Sequence, residues 1–263
     1  MRIVFAHYLS APFLAAALGI LYFAWEHDGQ GALWMVPFIV AAAFIWVLTP
    51  QINWWWYSKH PPELEDGVKQ ALAQWTPFYQ ALPEAERLRF RQRLALTRMA
   101  TNWTSKQMPD DEIPPDLQVA VAVQAVIATW HRDKYLLPEV ENVVISPDVF
   151  FSPQYPYPHF CETWLPEQCI LLGARPVMDA FAQPHLYFNI ALYEYLQRVP
   201  EHPLFRRAGM MPEEVLWQQI KDLSGWDRAY ITEATGLKEV SAVAVWACVQ
   251  LTFAPAQNIA SPL

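Results

Sequence analysis

Residues 3–25 read IVFAHYLSAPFLAAALGILYFAW, and residues 32–48 read ALWMVPFIVAAAFIWVL. Neither run holds an Asp, Glu, Lys or Arg. A helix of about 20 apolar residues crosses the hydrocarbon core of a bilayer, and each run is near that length. Between them stand Glu26, His27, Asp28, Gly29, Gln30 and Gly31, a polar turn with two acids and two glycines. The pattern predicts a transmembrane helical hairpin over residues 1–50, with helices at 3–25 and 32–48.

The flanks extend this reading. Gln51 to Tyr57 carries Trp54, Trp55 and Trp56, an aromatic cluster suited to the headgroup level of a membrane. Residues 51–66 are read as a juxtamembrane segment and linker, and residues 67–263 as one globular domain. Arg2 and Lys59 flank the apolar runs, whereas the turn between them has no base. The positive-inside bias then places the globular domain in the cytoplasm, at the inner membrane. Two alternatives stand beside the hairpin: a cleaved signal peptide and a buried hairpin in a soluble fold. Against the signal peptide, the basic region is a single residue, the apolar region is overlong and a second run follows.

Apolar residues make up 54% of the 263 and charged ones 17%, too greasy for an ordinary soluble domain. The net charge of −8 offers no basic stripe to release phosphate counterions, which argues against nucleic acid as a partner. Cys161, Cys169 and Cys248 are odd in number and lie among apolar residues, as reduced buried thiols do. There is no internal repeat.

Beyond the linker, helices are expected at Val68–Leu82, from Glu84 to about Trp103, at Leu117–Trp130, at Pro184–Arg198 and at Leu237–Phe253. Short strands are expected at 142–147, 160–164 and 169–172, with Pro166 and Glu167 in a hairpin turn. An acidic turn spans Pro109 to Glu112. The helix after Pro83 has Arg87, Arg89, Arg91, Arg93 and Arg98, read as a solvated face, or alternatively a docking surface for an acidic partner or anionic headgroups. Helices with few strands make an α+β domain.

Residues 189–197 read NIALYEYLQ. Metallopeptidases carry H-E-x-x-H on a helix, where two His one turn apart grip zinc and the Glu is general base. In this register Tyr193 and Gln197 hold the two histidine positions and Glu194 the base position. A neutral phenol and an amide are poor zinc donors. Substitute ligands could come from His159, His185 or His202. With no metal, the carboxylates become structural, paired with Arg175, Arg198 or tyrosine hydroxyls.

Several segments in order resemble the Mlc titration factor A type of zinc-dependent peptidase. Gln124-Ala125 sits in an apolar helix, and Pro147 and Phe150 follow a strand. Cys161-Glu162-Thr163-Trp164 precedes an apolar strand, and Asn189 to Glu194 matches the opening of the metal helix. Gly236 to Val243 resembles the segment bearing the third zinc ligand, with Glu239 in the ligand place. The resemblance covers about residues 70–255. It implies a zincin-like fold, of whose three zinc ligands only Glu239 survives, so no metal cofactor is expected unless ligands have been replaced. It also implies a protein partner, since members of that family bind a transcriptional repressor.

The sequence therefore reads as a membrane-anchored, catalytically inactive relative of a metallopeptidase that acts by binding protein or peptide. Tyr195, Glu162 and Trp164 are candidates for the lining of its leftover cleft, beside Tyr193, Glu194, Gln197 and Glu239. The alternatives are an active zinc peptidase with substitute ligands, and a structural subunit of a membrane assembly.

Overall fold

The computed structural model describes residues 5–26, 31–106 and 112–259. Arg2, the turn residues 27–30 and residues 109–111 of the acidic turn lie outside the described residues. The chain divides into two compact units, Met1–Pro62 and Glu63–Leu263.

In the first unit, α1 (Phe5–Glu26) is a single helix of 22 residues, about 33 Å at 1.5 Å per residue. It is long and apolar enough to cross a membrane, and only 11% of its apolar window is buried within the protein. Leu18, Tyr22, Phe23 and Trp25 all point outward, as they do not in the core helix of a soluble fold.

The second apolar run is not one straight helix. A 3-10 turn at Ala32–Met35 leads into α2 (Val36–Val47), and α3 (Thr49–Lys59) leaves α2 at 64°. Pro50 causes the break, because it has no N–H for the carbonyl four residues back and its ring crowds that turn. Alone, α2 is about 18 Å long, short of a bilayer core of about 30 Å. The aromatic segment expected as linker is therefore helical to Lys59. It returns to the start of α1, where Ala6 N donates to Asn53 Oδ1 at 3.1 Å and Phe5 stacks on Trp56 at 4.1 Å.

The second unit is mainly helical with a small mixed sheet, an α+β arrangement. Its elements are α4 (Asp66–Trp75), α5 (Pro77–Ala81), α6 (Glu84–Ala100), β1 (Asn102–Ser105), α7 (Pro115–Ala128), β2 (Asn142–Ser146), β3 (Cys161–Trp164), β4 (Cys169–Gly173), α8 (Ala174–Ala182), α9 (Ile190–Gln197), α10 (Pro203–Ala208), α11 (Glu213–Ser224), α12 (Arg228–Thr235), α13 (Ala242–Phe253) and α14 (Pro255–Ile259). The sheet order is β1-β2-β4-β3. β2 lies parallel to both β1 and β4, and β3 pairs antiparallel with β4, Trp164 opposite Cys169. A 3-10 turn at Leu165–Glu167 and a left-handed Gln168 (φ 50°) close that hairpin.

Apolar residues on all sides of α7 make it the central helix, with Ala120, Val121, Val123 and Val126 fully buried. α6, α8 and α9 pack around it, and α9 also touches β3, β4 and α13. The helix that carries the degenerate motif is thus clamped between core and sheet.

Several expected boundaries move for local reasons. The helix expected over Val68–Leu82 breaks at Thr76, which Pro77 holds in extended geometry (φ −114°, ψ 95°). The Gln80 side chain donates to the carbonyls of Ala73 and Gln74 freed there. α6 ends at Ala100, and Trp103 belongs to the unexpected strand β1. The helices at 174–182, 203–208, 213–224 and 228–235 were not expected either.

The arginines of α6 do not form a free face. Arg93 is buried and donates to the carbonyls of Thr129, Trp130 and Arg132 at 3.5, 3.0 and 2.7 Å, capping α7. Burial lowers its pKa to about 10, which leaves it charged at neutral pH. Arg87 pairs with Glu84 and the carbonyl of Gln80, Arg89 with Glu86, and Arg91 with the Tyr79 hydroxyl. These guanidiniums brace neighbouring elements.

Candidate functional site

The helix of the degenerate motif starts later than its apolar pattern suggests. Pro184 to Phe188 form turns, and Asn189 is the N-cap, its Oδ1 accepting from Leu192 N at 2.9 Å. From that start, Tyr193 and Gln197 lie one turn apart on the same face, and Glu194 sits one turn before Arg198. β3 runs alongside, and Thr163 Oγ1 donates to Glu194 Oε2 at 2.7 Å.

The opposite wall is the segment between α12 and α13. Gly236, left-handed at φ 71°, turns the chain so close to the segment before β3 that a Cβ there would stand 2.6 Å from His159 Cα. The segment then passes Leu237, Glu239 and Val240 to Ser241. Ser241 N donates to the Tyr193 hydroxyl at 3.1 Å, and its own hydroxyl caps α13 by accepting from Ala244 N at 3.3 Å. Glu239 thus lies in the approach to α13, outside the helix expected from Leu237.

These walls enclose a cavity of about 330 Å³. Tyr193, Glu194, Gln197, Glu239 and Glu162 line it, joined by Gln154, Tyr155, Thr163, Arg198, Leu237, Val240 and Ser241. Tyr195 and Trp164 do not. Tyr195 is buried in the core, on the side of α9 away from Tyr193, and Trp164 ends β3 beyond the lining. Arg175 pairs with Asp179 at 3.8 Å and is not part of this cavity.

Glu194 is only 3% exposed. Burial raises its pKa, opposed by hydrogen bonds from Thr163 and Cys161 and by the charge of Arg198. Burial also pushes the Tyr193 phenol well above its ordinary value, against the pull of the Ser241 N–H, so it stays neutral. Cys161, Cys169 and Cys248 are free and buried, and burial raises the thiols of all three.

Beneath the cavity, Glu162 Oε2 and His159 Nε2 are 3.0 Å apart, and His159 Nδ1 faces the carbonyl of Tyr157 at 2.9 Å. A carbonyl only accepts, so Nδ1 carries a proton and Nε2 shares one with Glu162. Both ring nitrogens are therefore committed. His202 caps α10 through Nδ1, and His185 is exposed against Phe253. None of the three histidines considered as substitute ligands lines the cavity.

The residues present do not fit a catalytic zinc. Such a site takes three protein ligands and a water. Here one motif position is a neutral phenol already accepting a backbone N–H, and the other is an amide. Among the described residues, no group of three His, Cys, Asp or Glu side chains is placed to hold a metal ion. What remains is a polar cavity with three carboxylates, one guanidinium, two amides and hydroxyls.

Ser241 carries a signal of its own, a small polar residue just before a long apolar run, which is the mark of an N-cap. No comparable signal marks Thr163 or His159, whose roles depend on which strand lies beside α9.

Glu194→Gln gives a direct check on the buried carboxyl. Its raised pKa means that the folded state holds the proton more tightly than the unfolded chain. That contribution to stability is present at low pH and is lost as pH rises through the folded value. Glutamine still accepts from Thr163 and never ionises. The variant is expected to gain stability relative to wild type as pH rises from 5 to 8 in thermal unfolding, and a relative loss would contradict this picture. A scan against protein-family models finds no match for this chain, and a search of curated proteins finds none either.

Proposed function

We propose that this is a membrane-anchored, catalytically inactive metallopeptidase-like protein whose cavity binds peptide without cutting it. One observation carries the reading. The positions that correspond to a metallopeptidase's motif and third ligand, Tyr193, Glu194, Gln197 and Glu239, line a single cavity, yet they supply no zinc site. On this reading the domain is zincin-like and related to the Mlc titration factor A type of peptidase. A regulatory role through a protein partner follows from the same relationship.

The anchor completes the proposal. α1 crosses the inner membrane, the bent pair α2–α3 forms the second crossing, and the C-terminal end of α3, with Trp54 and Trp55 exposed, reaches the headgroup level. The cationic end of Lys59 rests over the Trp55 ring at 4.6 Å, an arrangement suited to an interface. The globular unit faces the cytoplasm.

The test uses the full chain in detergent, with a panel of short peptides and chromogenic aminopeptidase substrates. The expected result is saturable binding with no product, unaffected by chelator. Turnover that chelator and Glu194→Gln both abolish would instead establish a peptidase with substitute ligands. Failure to bind any peptide would favour a structural subunit.

A further inference from the structure

We propose that the cavity takes short zwitterionic peptides, with the free ammonium held by Glu162 and its neighbouring carboxylates and the free carboxylate held by Arg198. This rests on the peptide-binding reading above and names its ligand class.

Two side chains in the lining carry the inference. Glu162 is 2% exposed and its Oε1 has no hydrogen-bond partner, the other oxygen being taken by His159. Arg198 Nε is buried and likewise has no partner. Leaving such a group unsatisfied is costly, more so when it is charged. One is an orphaned acceptor and the other an orphaned donor, and their side chains line the same cavity. The complementary ligand brings an N–H donor and an anionic acceptor together.

Charge and size narrow the class. Glu162, Glu194 and Glu239 line the cavity with the single Arg198, so a lone anion leaves the carboxyl groups unserved and a lone cation leaves Arg198 unserved. A zwitterion answers both. The cavity of about 330 Å³ matches about ten water-sized volumes, close to the heavy-atom count of a dipeptide with small side chains. Leu237 and Val240 provide an apolar wall for one side chain, and Gln154 and Gln197 can meet the peptide amide. A capped internal stretch of protein chain has neither terminal charge and forfeits both contacts.

The experiment is calorimetric titration of the full-length, detergent-solubilised protein with Ala-Ala, N-acetyl-Ala-Ala, Ala-Ala amide and a doubly capped hexa-alanine. Ala-Ala is expected to bind, and each cap to weaken it about ten- to a hundred-fold, the worth of one charge-assisted hydrogen bond. Arg198→Gln is expected to erase the difference between Ala-Ala and its amide while keeping the penalty for acetylation. Glu162→Gln is expected to do the reverse. Should either variant fail to fold, the capped ligands still decide the matter on the wild-type protein. Equal affinity for capped and uncapped peptides would overturn the zwitterion assignment and leave peptide binding standing. No heat with any of the four would overturn both.

Discussion

Acidification from pH 6.5 to about 3 is expected to remove about 4 kcal/mol of stability through one residue, His202. Its ring is 6% exposed, and burial, aided by the neighbouring His131, lowers its pKa to about 3. Nδ1 accepts from Leu204 N at 3.2 Å, so a proton there would set N–H against N–H. The His131 ring packs edge-on at 4.6 Å, and both its nitrogens are buried without partners. Around His131, the Glu201 carboxylate and the Arg132 guanidinium, paired at 3.1 Å, act in opposite directions.

Since the folded state binds this proton more weakly than the unfolded chain, the contribution is complete above pH 6.5 and is lost as pH falls. Denaturant unfolding at pH 7 and pH 4 should differ by about 3 kcal/mol on this account. His202→Asn keeps a capping acceptor and does not titrate, so it should flatten the dependence. Equal slopes for the variant and wild type would remove His202 from the explanation.

The second large effect is expected at Gly236. An alanine there would place its Cβ 2.6 Å from His159 Cα and 3.0 Å from the Pro158 carbonyl oxygen. It would also sit at φ 71°, a conformation costly for any residue with a side chain. Overpacking and backbone strain together should cost about 3 kcal/mol. The strain should pull the 237–241 segment away from β3 and weaken the Ser241–Tyr193 hydrogen bond. Gly225→Ala is the control. It has a similar φ of 78° but open space around the new methyl, so it should cost only about 1–2 kcal/mol. The measurement is the pair of unfolding midpoints, and equal losses would mean that the close approach to His159 is not maintained in solution.

How much of this the sequence disclosed depended on what each segment needed to be read. A long uncharged apolar run, such as those inside α1 and α7, announces itself wherever it stands. β2 and β4 were legible because Val, Ile and Leu cluster between turn residues. β1 was not, since Asn-Trp-Thr-Ser has no apolar alternation and becomes a strand only by pairing with β2. The second apolar run showed its composition, but neither its 3-10 start nor the continuation of helix past Pro50 as α3, through the expected linker, was legible.

Within the site, Tyr193, Glu194 and Gln197 were legible from spacing on one helix, and Glu162 and Glu239 from the resemblance. The contacts that define the cavity were not. Thr163, His159 and Ser241 reach it from three different segments, and only the fold brings them to α9. Tyr195 was proposed for the cleft on sequence adjacency alone, yet a residue next to Glu194 on a helix points about 100° away from it. In the structure it is core.

Zinc stoichiometry of the full-length protein, purified in detergent and equilibrated with trace zinc, tests the central claim most directly. The account predicts far less than one zinc per chain, unchanged by Glu194→Gln or Glu239→Gln. About one tightly held zinc per chain, lost on Glu239→Gln, would contradict it and mark the cavity as a working metal centre.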